Sequence, residues 1–184
     1  MLTSLDLRGV HLVGCSYGGW LTFNQAVHAP ERLAGITLIE PANVFARPSV
    51  KFKLTVLALL PGAPRKLTRR AMAWAFGNTA VGDPMYPIVD LIVAGAHDFR
   101  ALGTSAAPVY PNDAVLAALR IPTLVLFGGR SVYHDAVAAE ARARQLLPAG
   151  QVELWPTATH AVAAEHPDEV NNRILGFVQS VDRQ

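Results

Sequence analysis

The sequence has a single cysteine, Cys15, so no disulfide can close within the chain. Long apolar runs are missing too. "LTVLALL" stops at Pro61 and "IVDLIVAGA" is interrupted by Asp90, both short of the ~18–20 residues that a membrane-spanning helix needs. The opening "MLTSLDLRGV" lacks the basic start and apolar stretch of a secretory leader, and the resulting expectation is a cytoplasmic protein. Charge is sparse: 16% of the residues, with a formal net charge of +2 and no basic tract. Nucleic acid is therefore not an expected partner, because its recognition needs a concentrated cationic face. Metal-ligand spacings and phosphate-binding glycine loops are absent from the sequence. "LFGGR" follows an apolar run but lacks the third glycine of a dinucleotide fingerprint. No cofactor and no metal are expected. Internal repeats and low-complexity tracts do not occur.

What is present is a globular composition, with 51% hydrophobic residues in 184, enough for one domain with a real core. Four short apolar runs read as buried strands: "VHLVG" (10–14), "AGITLIEPA" (34–42), "IPTLVLFGG" (121–129) and "QVELWP" (151–156). Helical patterns follow the first, third and fourth of them. Residues 18–29 place Leu21, Phe23, Ala26 and Val27 toward the core and end at Pro30. Residues 135–148 start at Asp135, a good N-cap, and 166–181 carry Pro167 in the first turn. Strand-helix alternation with continuous apolar strands predicts an α/β fold, a mostly parallel sheet with helices on both faces. The stretch 46–119 breaks that rhythm with prolines and helix-like segments such as "PRKLTRRAMAWAFG". It is expected to be a helical cap insertion, leaving 1–45 and 120–184 as the core.

The first strand runs directly into Gly14-Cys15-Ser16-Tyr17-Gly18-Gly19. In so tight a strand-to-helix turn the central residue takes strained backbone angles, and bulky neighbours would collide with it. The strain lifts the Ser16 hydroxyl above the strand ends at a helix N-terminus, with the Tyr17 N–H beside it. The glycines are thus expected to be the steric condition for an exposed nucleophile. The bland alternative is a plain glycine-rich turn. A general base must come from elsewhere. His160 lies between the fourth strand and the last helix, from where it can swing over the end of the first strand. His166 adjoins Pro167 and reads as a surface residue, and His11, His28, His97 and His134 lack comparable placement.

Taken together, "HLVGCSYGGW", "LAGITLIEPA", "IPTLVLFGG" and "ATHAVAAEHPDEVNNRILGFV" resemble the α/β-hydrolase family over nearly the whole chain. The resemblance implies a serine hydrolase acting on carboxylic esters or related acyl bonds. Ser16 would be the nucleophile, His160 the base and the Tyr17 N–H one oxyanion donor. In that family the acid usually lies three residues beyond the glycine that ends the third strand here. Counting from Gly128 gives Ser131, which cannot carry a negative charge. Two carboxylates stay open as the acid. Asp135, slightly preferred, could equally be a helix N-cap, and Glu40 in "LIEPA" could be merely a buried hydrogen-bonded residue.

The family sheet also has strands ahead of the nucleophile strand, whereas only "LTSLDLRG" precedes it here. Three explanations stand open. The chain is a shortened relative without activity, its true start lies upstream of Met1, or a second copy covers a bare first strand as a homo-oligomer. The alternative to an ester hydrolase is accordingly a non-catalytic, hydrolase-like binding module. Cys15 is expected to be a small packed residue beneath the turn. The cations Lys51, Lys53, Arg65, Lys66, Arg69 and Arg70 read as a solvated helix face. Trp74 and Phe76 could line an acyl pocket or form the insertion's own core.

Overall fold

The computed structural model describes residues 2, 4–60, 62–77, 79–83, 85–99 and 106–183. Strand β1 (Val10–Cys15) passes into helix α1 (Tyr17–His28), which returns the chain to β2 (Leu33–Ile39). Then come α2 (Val50–Val56), α3 (Arg65–Ala75), α4 (Tyr86–Asp98) and the short α5 (Asp113–Ala117). Strand β3 (Thr123–Gly128) leads to α6 (Ala136–Leu146), and β4 (Gly150–Trp155) to α7 (Val162–Glu165) and α8 (Pro167–Val181). The strands pair in the order β1-β2-β3-β4, all parallel.

Parallel neighbours need long crossovers that cover both faces, so the central strands are buried on both sides. Alternate residues go to opposite layers. Ile36, Leu38, Val125 and Phe127 pack with Trp20 and Phe23 of α1 and with Ala139 and Ala143 of α6. Ile39, Leu124 and Leu126 face the other way, against Val170 and Phe177 of α8. That is why these strands read as unbroken apolar runs. Strand β1 is an edge, and Val13 is 49% exposed. In α1 the expectation for Leu21 is corrected. It points to solvent, while Trp20, Thr22 and Phe23 turn inward because β1 and β2 lie on that side.

The segment between β2 and β3 holds helices α2 to α5. Helices α3 and α4 share a small cluster of Met72, Val89 and Val93, with Phe76 packed against it. Arg65 pairs with Asp98, and Arg69 with Asp90 at 2.8 Å, so these cations bind the neighbouring helix. Lys51, Lys53, Lys66 and Arg70 are exposed. Among the described residues, no helix is long and apolar enough to cross a membrane.

Candidate active site

The carboxyl ends of all four strands meet at one place, where α/β sheets bind their ligands. Ser16 follows β1 with φ 52° and ψ −117°, a strained conformation for a residue with a Cβ. Four hydrogen bonds hold it there. Its N–H donates to the Ile39 carbonyl at 2.9 Å, and its carbonyl accepts from Ala42 (2.9 Å), Gly19 (3.0 Å) and Trp20 (3.2 Å). A methyl group on Gly14 would overlap the Gly18 carbonyl and the Thr22 hydroxyl, and one on Gly19 would sit 2.9 Å from Pro41. Gly18 is different, since a methyl there meets nothing described within 4 Å. The steric demand of the turn thus falls on Gly14 and Gly19, not symmetrically on Gly14 and Gly18. The Tyr17 N–H lies in the first turn of α1, where amides have no intrahelical acceptor, and donates to nothing among the described residues.

His160 reaches this hydroxyl. Its Nε2 is 3.0 Å from Ser16 Oγ, and its Nδ1 is 2.7 Å from Glu40 Oε2. Glu40 sits just past β2 with φ 46° and is fully buried. Gly128 N–H donates to its Oε1 at 2.6 Å and the Ser131 hydroxyl to its Oε2 at 2.7 Å. Burial pushes the carboxyl up. The hydrogen bond and charge of His160, then His134 and Ser131, outweigh it and hold Glu40 below its ordinary value. Asp135, the slightly preferred carboxylate, stands apart from the imidazole. That carboxylate accepts the Ala138 N–H at 3.0 Å as the N-cap of α6, and it makes no hydrogen bond to His160. Ser131, which looked like a lost acid, is instead a donor to the carboxylate that stands behind the imidazole.

Three supporting residues escaped the sequence. Glu165 of α7 accepts both the Thr159 N–H (2.7 Å) and its hydroxyl (2.6 Å), pinning the loop just before His160. The absent side chain of Gly128 lets the Thr159 carbonyl cross the end of β3, where any Cβ would overlap it. Tyr133 stacks on the His160 ring at 5.1 Å. Burial, and secondarily the charge on Glu40, push its phenol up to about 12. Only the spacing of Glu165 five residues after His160 offered any local signal.

A cavity of about 230 Å³ opens at Ser16 and His160. Its other walls are Cys15, Phe76, Met85 and Ile88, and Ala161, Ala163 and Ala164 near α7. Trp74 is not among them. It borders a separate depression with Leu67 and Arg70. Cys15 is exposed toward the cavity rather than packed beneath the turn. Desolvation on its protein side, then the charge of Glu40, push its thiol up. His166 bonds Glu169 at 2.8 Å, His97 bonds Thr68 at 2.9 Å, and His11 bonds Asp182 at 3.0 Å. Among the described residues no group of three or more His, Cys, Asp or Glu could hold a metal ion.

The Ser16 hydroxyl on its strained elbow, the His160 imidazole against it and the buried Glu40 carboxylate behind form one hydrogen-bonded chain. The Alpha/beta hydrolase family profile matches residues 1–173. The chain belongs to the α/β-hydrolase family. It is 32% identical to carboxylesterase YbfK of Bacillus subtilis across 95% of this chain and 59% of that protein. The crystal structure of that carboxylesterase superposes with a TM-score of 0.83 at 27% identity, covering 96% of this chain and 62% of that one. Naproxen esterase of Bacillus subtilis superposes with a TM-score of 0.78, also at 27% identity and over the same shares. The chain thus spans about three fifths of the length of these relatives.

Proposed function

We propose that this chain carries the catalytic centre of a serine-nucleophile hydrolase for carboxylic esters or related acyl bonds. The observation behind the reading is one imidazole within hydrogen-bond reach of both Ser16 Oγ, at 3.0 Å, and Glu40 Oε2, at 2.7 Å. Ser16 Oγ attacks the acyl carbon while His160 Nε2 takes its proton. Glu40 holds the imidazole with its proton on Nδ1 and faces the imidazolium that forms. The Tyr17 N–H donates to the developing oxyanion. His160 then protonates the departing alcohol, and a water activated by the same imidazole hydrolyses the acyl-enzyme. The insertion 46–119 serves as a cap. It supplies Phe76, Met85 and Ile88 to a cavity that suits an apolar acyl group. The carboxylesterase likeness of YbfK supports the same reaction class.

The test is labelling with a fluorophosphonate, which reports an activated serine. The wild-type chain is expected to label and Ser16→Ala to remain unlabelled. A folded wild-type sample that fails to label would overturn the reading and favour a non-catalytic binding module.

A further inference from the structure

We propose that His134 is a positioning residue for the acid of this site, a buried neutral donor that faces the open lone pair of Glu40 and keeps that carboxylate ionised and in place. The inference rests on the assignment of Glu40 as the acid. A carboxylate can accept about four hydrogen bonds. Three are supplied by Gly128 N–H on Oε1 and by Ser131 and His160 on Oε2. On the Oε1 side, His134 Nε2 stands 3.9 Å away. That is too long for a hydrogen bond but within a small ring movement of one.

The surroundings make the choice of residue informative. The His134 side chain is fully buried, and neither ring nitrogen has a hydrogen-bond partner among the described residues. It lies edge-on to Phe127 at 5.7 Å and Tyr133 at 5.3 Å, a niche that a phenyl ring would fill without an orphaned polar atom. The polar group it faces closely is Glu40, so the two imidazoles, His134 and His160, stand on either side of one carboxylate. The charged and titratable groups around it are Glu40 after β2, His160 after β4, Asp135 at the start of α6, and Tyr133. Asp135 is occupied by the Ala138 N–H. Burial holds the His134 ring below the ordinary imidazole value. Glu40 opposes that effect, and the charge of His160 adds to it. A neutral ring with its proton on Nε2 aims an N–H at Oε1. A cationic ring would instead compete with the His160 imidazolium for the same negative charge.

The test uses the full chain and two variants, His134→Phe and His134→Gln. Ring ¹⁵N NMR of the wild type is expected to show His134 neutral and protonated on Nε2 at neutral pH. In His134→Phe the Glu40 carboxyl ¹³C signal should titrate at higher pH than in the wild type. Turnover of a p-nitrophenyl ester should fall about tenfold with KM unchanged. His134→Gln, whose amide N–H reaches the same place, should restore both. A Glu40 titration unmoved in His134→Phe would overturn the proposal. So would a wild-type His134 ring protonated on Nδ1, a result available even if His134→Phe does not fold. The NMR readouts need no turnover. A chain that fails to label with fluorophosphonate, yet shows the Glu40 response, loses the catalytic assignment and keeps only the coupling of His134 to the Glu40 carboxylate.

Discussion

Replacing Glu40 with glutamine keeps the shape of the site and changes its protons. The carboxylate accepts from Gly128 N–H at 2.6 Å, and from the Ser131 hydroxyl and His160 Nδ1 at 2.7 Å each. Glutamine offers one oxygen and one NH2. Turning the NH2 toward Gly128 sets it against a backbone donor that cannot rotate, which costs ~1–3 kcal/mol. The opposite flip is therefore favoured. Ser131 then rotates to accept, and the imidazole presents a bare Nδ1 to the amide. Its proton moves to Nε2, the nitrogen 3.0 Å from Ser16 Oγ, which can no longer receive the serine proton. The equivalent exchange in serine proteases costs about 10⁴ in turnover, or ~5.5 kcal/mol of barrier. The assay is p-nitrophenyl ester hydrolysis by wild type, Glu40→Gln and Asp135→Ala, with folding checked by circular dichroism. Asp135→Ala loses only a helix cap, so it should cost ~1 kcal/mol of stability and keep its activity. Turnover of Glu40→Gln within about tenfold of wild type would refute the reasoning, given the ~10⁴ loss it predicts. Asp135→Ala that is folded but inactive would point back to the other carboxylate.

Gly14→Ala should fail to fold or lose ~3 kcal/mol or more, because its methyl overlaps a backbone carbonyl, whereas Gly18→Ala should shift the urea midpoint little. Equal tolerance at both positions would contradict the geometry of the turn. Glu165→Ala releases the Thr159 loop and should lower kcat by about 10²-fold through a misplaced imidazole, read as kcat against KM with the fold intact. Stability should fall in acid in two windows, since Glu40 and His134 are both held below their ordinary values. In each case the unfolded chain binds the extra proton, so stability rises with pH. The His134 contribution is complete above about pH 6.5 and is lost as pH falls through its folded value. The Glu40 contribution is complete above about pH 4.5 and is lost likewise. Denaturant midpoints against pH should show His134→Phe flattening the upper window and Glu40→Gln the lower. An unchanged upper slope in His134→Phe would show that the ring titrates as an ordinary histidine.

Much of the architecture was legible from local signals. β-Branched runs closed by glycine or proline mark strands buried on two faces, and Pro30, Asp135 and Pro167 punctuate the helices. The elbow was legible as well, because its strain is local and demands glycine at fixed offsets. Leu21 was not. Periodicity locates an apolar stripe, but which residues of α1 meet β1 and β2 depends on the helix's rotation against the sheet. Cys15 was misjudged for a related reason, since it lines a cavity whose other walls come from distant parts of the chain.

The amino-acid sequence on its own determined the parallel α/β layering, the strained turn that lifts Ser16, and the imidazole placed to meet it. Only the tertiary structure decided which carboxylate stands behind His160. Counting along the chain gave Ser131 and left Asp135 and Glu40 both open, since Glu40 and His160 lie 120 residues apart. They meet because parallel pairing in the order β1-β2-β3-β4 gathers the strand ends on one side of the sheet. Three donors already turned inward, with the charge of His160, outweigh the cost of burial there and keep Glu40 charged.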